Sequence, residues 1–104
     1  MAFIAIYITN SSAEEAHKVA AHLLQKKLVA CANIFPVSSS YYWQGALQNE
    51  QEFVALVKTR PALWEAVKQE VAAVHSYQTP CIMRFEVSAN EDYEAWIEQE
   101  TCGS

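Results

Sequence analysis

His75 is the residue of this 104-residue chain best placed to do chemistry. It falls where a helical pattern stops, two residues before Tyr77 and shortly before an X-Pro step at Pro80 that holds the backbone extended. At a helix C-terminus an imidazolium is favoured by the dipole, and neutral imidazole is the commonest metal ligand. The same position suits a C-terminal cap packed on Tyr77, and spacing leaves both roles open. Glu52 and Lys58 form a second pair. Six residues apart around an apolar centre, they share one face of a strand, where they either frame a polar cleft or pair with surface charges. Other combinations are weaker. His17 and His22 sit about 140° apart on one helix, whereas a helical metal pair needs i, i+4 spacing. Cys31 lies inside an apolar strand, where desolvation suppresses the thiolate. No serine stands in a hydrolase-type strand-to-helix turn, so nucleophilic catalysis lacks support and no enzyme is expected.

The elements that must position these residues follow from periodicity. Ala2–Thr9 is β-rich and apolar at odd and even positions, the pattern of a strand covered on both faces. Ser11 and Ser12 each precede a glutamate by three residues, a capping-box signature. The helix they open places Ala13, Ala16, Val19, Ala20, Leu23 and Leu24 on one side. Leu28–Val37 is again strand-like and apolar on both faces, with Pro36 and Ser38–Ser40 expected to interrupt it before Tyr41–Trp43. Gly45 supplies a turn and Glu52–Thr59 runs back, giving a long hairpin with a distorted middle. Pro61 opens a second helix with a core stripe of Leu63, Trp64, Val67, Val71 and Val74. Cys81–Val87 alternates as a half-exposed strand, and Asn90 caps a last helix whose apolar side is Tyr93, Trp96 and Ile97.

The order β-α-β-β-α-β, plus a C-terminal helix, is that of an α+β, ferredoxin-like split βαβ sandwich in one domain, residues 1–104. Two helices cover one face of such a sheet, yet two strands are apolar on both. Exposing each large aliphatic side chain there forfeits about 1.5–3 kcal/mol, so other copies of the chain are expected to cover the second face. Charged residues at 18%, below the typical value of about 25%, agree with surface that never meets water.

Composition also removes whole classes of function. With net charge −5 and no basic cluster longer than Lys26-Lys27, nucleic-acid binding is not expected. Gly45 and Gly103 are too far apart for a phosphate-binding loop. The longest apolar run, Ala2–Ile8, falls far short of the roughly 20 residues that span a bilayer, and the first basic side chain is Lys18, so neither a membrane span nor a signal peptide is expected. Cys31, Cys81 and Cys102 form no Cys-x-x-Cys pair and read as reduced thiols of a cytoplasmic protein.

Leu28-Val-Ala-Cys-Ala-Asn-Ile34 resembles a signature of the CutA divalent-cation tolerance proteins. Tyr42-Trp43-Gln44-Gly45, Glu52, Lys58-Thr59, His75-x-Tyr77-x-x-Pro80 and Tyr93-x-x-Trp96-Ile97 follow in the same order and cover nearly the whole chain. The resemblance implies a cytoplasmic homotrimer built like the PII signalling proteins, linked to tolerance of copper and other divalent metals. It implies that Trp43, Glu52, Lys58, His75 and Tyr77 line clefts between subunits. The copper site of one branch uses a cysteine late in the first strand and two adjacent histidines after the second helix. Ile8, Val74 and His75 stand at those positions, so one ligand of three is kept. Many members also carry glutamate where Gln78 and Cys81 stand. His75 with Cys81, or with a neighbour's carboxylate, is the metal set that remains, and thiolate plus imidazole suits copper(I) or zinc. The alternative is a PII-like module whose intersubunit clefts bind a small ligand or partner.

Overall fold

The computed structural model describes residues 2–102. Four strands, β1 (Phe3–Asn10), β2 (Cys31–Trp43), β3 (Ala46–Thr59) and β4 (Ile82–Val87), form one antiparallel sheet in the order β2-β3-β1-β4. Helices α1 (Ala13–Gln25) and α2 (Trp64–Val74) lie between the strands in sequence, and α3 (Glu91–Thr101) ends the described chain. This is the expected α+β split βαβ arrangement.

The core forms between the sheet and α1 and α2. Ile4, Ile6 and Ile8 of β1, with Ala55 and Val57 of β3, meet Ala16, Val19 and Leu23 of α1 and Val67 and Val71 of α2, all without solvent contact. Leu24, assigned above to the apolar side of α1, is exposed, because it lies at the margin of the stripe. Ser12 caps α1 by accepting from the Glu15 amide at 3.1 Å, and the Glu15 carboxylate takes both the amide and the hydroxyl of Ser11. The helix ends with Lys27 in the left-handed region (φ 60°), and the Leu28 amide bonds back to the Leu23 carbonyl at 3.0 Å in a Schellman arrangement. Asn90 does precede α3, but its side chain makes no capping bond. The amide of Ala89 instead donates to the Glu94 carboxylate at 2.8 Å.

The hairpin departs from expectation. β2 begins at Cys31, not Leu28, and pairs with β3 without interruption from Cys31↔Lys58 to Trp43↔Ala46, straight through Pro36 and the three serines. Proline is tolerated because β2 is an edge strand, where alternate N–H groups point away from the ladder. β3 accordingly starts at Ala46, six residues before Glu52. Gln44 (φ 52°) and Gly45 (φ 83°) make the type I′ turn that suits a two-residue hairpin loop. Since β1 pairs with β3 only as far as Phe53, the outer part of the hairpin projects beyond the sheet, and the described chain measures 45 × 25 × 21 Å.

The second sheet face is only partly covered. α3 crosses one end of it, where the rings of Tyr93 and Phe3 meet edge to face at 6.0 Å and Ile97 is fully buried. β4 turns its polar alternate residues, Arg84 and Glu86, toward the helices and its apolar ones, Met83 and Phe85, away from them, by their registers with Ile6, Ile4, Tyr7 and Ala5. Met83 and Phe85 are 42% and 45% exposed. Phe35 and Trp96 lie open as well.

Candidate functional site

At the end of that second face opposite α3 lies an open cleft of about 600 Å³. Three elements build it. Alternation along β3 brings Gln48, Glu50 and Glu52 to one face, and the hairpin register sets Tyr41 opposite Gln48 and Trp43 opposite Ala46 on the same face. The segment from Ser76 to Thr79, after α2, closes one side, and Thr9 and Cys81 supply the floor at the junction of β1 and β4.

Of the six residues singled out from sequence, Trp43, Glu52, Tyr77 and Cys81 line this cleft together. Glu52 is only 5% exposed, and its Oε2 accepts the Tyr77 hydroxyl at 2.6 Å. Burial, then that hydrogen bond and the charge of Glu52, push the Tyr77 phenol far above its ordinary range. Burial and Glu52 also push up the Cys81 thiol, and Tyr41 is raised by desolvation and by the charges of Glu50 and Glu52. The cleft is therefore a site of negative potential that holds its phenols and its thiol protonated. Replacing Tyr77 by Phe removes the donor from a buried carboxylate. The expected cost is about 1–2 kcal/mol in urea unfolding.

His75 stands behind the cleft. Its side chain is completely buried and both ring nitrogens are engaged: Nε2 donates to the Thr9 carbonyl at 2.8 Å, and Nδ1 accepts the Tyr77 amide at 3.1 Å. These partners fix the tautomer, and the ring also tilts against Tyr77 at 4.7 Å between centroids. Glu15 Oε2 lies 3.9 Å from Nδ1 and accepts the Ser76 amide at 2.9 Å, fastening the start of the segment to α1. His75 thus positions Tyr77, and Tyr77 positions Glu52. A metal would have to displace one of the imidazole bonds, and it would meet a Cys81 thiol held toward its protonated form. Among the described residues no three His, Cys, Asp or Glu side chains converge on one point. The pair His75 and Cys81 does not fit a preformed metal site within one chain.

Lys58 lies elsewhere. It shares the face of Glu52 but sits about 20 Å along β3, where Nζ donates to Asn33 Oδ1 at 2.7 Å and to the Tyr93 hydroxyl at 3.4 Å, with Cys31 Sγ 3.3 Å from the same hydroxyl. His22 bridges α1 to α2 through Glu70 at 2.7 Å. Sequence reasoning missed Tyr41 and Glu50. Their signal was the period of two shared with Trp43 and Glu52, hidden by starting the return strand at Glu52.

The family model of the CutA1 divalent ion tolerance protein matches residues 4–100. The divalent-cation tolerance protein CutA of Archaeoglobus fulgidus is 44% identical over 95 residues, 90% of this chain and 93% of that protein. Its counterpart from Pyrococcus horikoshii is 39% identical over 99 residues, 94% and 97% of the two chains. Among solved structures, the A. fulgidus protein, described as a periplasmic divalent cation tolerance protein, superposes with a TM-score of 0.91 at 42% identity, covering 97% of this chain and 99% of that one. CutA1 from Oryza sativa superposes at 0.92 with 31% identity, over 97% and 94% of the chains. With the split βαβ sheet, the long hairpin and nearly full-length identity in agreement, the chain belongs to the CutA1 divalent ion tolerance protein family.

Proposed function

We propose that this protein is a non-enzymatic divalent-cation tolerance protein that works as a homotrimer in the response to copper and related ions. The observation that carries this reading is the match across residues 4–100 to a family whose members are named for that property. The negatively charged cleft with Glu50, Glu52 and Cys81 suits attraction of a cation, and a neighbouring subunit would have to complete any coordination. Growth in graded copper(II), with and without expression of the chain, tests the role in tolerance; equal sensitivity overturns it. Calorimetric titration of the assembled protein with copper(II) tests direct binding. Loss of the heat in Cys81→Ser or Glu52→Gln supports binding at the cleft, and unchanged binding in both variants removes it from there.

Trimer formation is supported by the apolar face bearing Phe35, Met83, Phe85 and Trp96. Burial of such side chains contributes about 1.5–3 kcal/mol each. Phe85→Glu adds a charge at a position exposed in the single subunit, so the subunit should still fold. The expected result by light scattering is a threefold lower mass. The cytoplasm is the proposed compartment, in keeping with three free cysteines, although the A. fulgidus relative is described as periplasmic. Cell fractionation distinguishes the two. No helix among the described residues is long and apolar enough to cross a membrane.

A further inference from the structure

The cleft carries an imbalance that a metal ion alone does not explain. Among the described residues of one chain, two carboxylates line it, and no lysine, arginine or histidine does. Glu52 is 95% buried by its neighbours, yet among the described residues its side chain's only hydrogen bond is from the neutral Tyr77 hydroxyl to Oε2. No donor among the described residues reaches Oε1. That oxygen is not sealed off either, since the only sealed and unbonded side-chain oxygen or nitrogen among the described residues is Asn10 Oδ1. Oε1 therefore opens into the cleft. A buried carboxylate without countercharge is costly, and a cationic partner relieves it.

The walls narrow the chemistry of that partner. Tyr41, Trp43 and Tyr77 surround the carboxylates with aromatic surface, and Gln78 adds an amide at the mouth. Aromatic faces attract alkylammonium groups and accommodate the methylenes beside them. A metal ion would need further donors from a neighbouring chain, because the described residues do not bring three His, Cys, Asp or Glu side chains together. Glu50 is exposed and has no cationic partner among the described residues. It lies one strand repeat from Glu52, about 7 Å along β3, a spacing that a butane-length diamine spans. A volume of about 600 Å³ falls within the range of about 300–1,000 Å³ usual for small-molecule sites.

We propose that this cleft binds a linear aliphatic diamine or polyamine, with one ammonium on Glu52 inside the aromatic wall and a second on Glu50 nearer solvent. The inference goes beyond the divalent-cation reading and is independent of it, because the copper titration and the growth test have their own outcomes whatever amines do.

The test is calorimetric titration of the assembled full-length protein with 1,4-diaminobutane and with spermidine, using butane-1,4-diol as the uncharged isostere. Saturable binding of the amines, without binding of the diol, is expected. Glu52→Gln should weaken it by about tenfold or more, the scale of one lost charge-assisted hydrogen bond, and Glu50→Gln should weaken it less. Glu14→Gln, an exposed carboxylate on α1, should leave it unchanged. No saturable heat with either amine overturns the proposal, and so does equal binding of the diol. Equal weakening by Glu14→Gln also overturns it, as this would show diffuse attraction to an acidic surface. If Glu52→Gln folds poorly, Glu50→Gln at its exposed position decides: unchanged binding there refutes the two-point geometry.

Discussion

His75→Ala should lower the unfolding free energy by about 2–4 kcal/mol, measured by guanidinium denaturation of the assembled protein. The imidazole is fully buried and joins two backbone groups from different parts of the chain, the Thr9 carbonyl and the Tyr77 amide. Truncation leaves both without partners, and each unpaired buried group costs about 1–3 kcal/mol. The effect should reach the cleft, because the Tyr77 amide is held by His75 and the Tyr77 hydroxyl by Glu52. In His75→Ala the line width of the Tyr77 ring signals should therefore change along with stability. A stability loss below about 1 kcal/mol would show that His75 is not the bracket the geometry implies.

The second large effect is acid lability from Glu15. Burial alone would raise its pKa, but hydrogen bonds from Ser76 and Ser11 outweigh burial and hold it at about 2, against an ordinary 4.5. A carboxyl whose folded pKa lies below its unfolded value contributes stability that is complete above the unfolded pKa. That contribution is lost as pH falls toward the folded one. The side chain is 12% exposed, so partial screening reduces the contribution to about 2 kcal/mol. Wild type and Glu15→Gln should therefore differ by about that amount at pH 7, and the gap should close between pH 4.5 and 2. A constant gap across that window would contradict the assignment. Both predictions concern the same junction, where the start of α1, the end of α2 and the segment beside the cleft are tied together.

Much of the fold is legible in the residues themselves. β1 reads as doubly apolar, and Phe3, Ile4, Ala5, Ile6 and Ile8 are all buried. Ser12 and Glu15 read as a capping pair, and they are one. Four of the six chosen site residues do meet in one cleft. The hairpin is less legible because Pro36 and the serines carry a local signal of interruption, while pairing along a strand edge is a nonlocal interaction that overrides it. Taking that signal at face value shortens β3 and hides Glu50 and Tyr41.

Alternation and helical period determine which face a side chain takes, and they do so from the sequence alone. Hence the order of elements, the core stripes of α1 and α2 and the apolar surplus on the second sheet face are all determined there. Distance along a strand and the direction of a ring depend on what packs beside them. Only the tertiary structure decided that Lys58, on the same face as Glu52, serves Asn33 and Tyr93 at the far end of β3. It likewise decided that His75, which the sequence leaves open as ligand or cap, spends both nitrogens on the backbone. A buried imidazole must satisfy both of its polar atoms, and the Thr9 carbonyl and the Tyr77 amide are the groups the fold brings within reach.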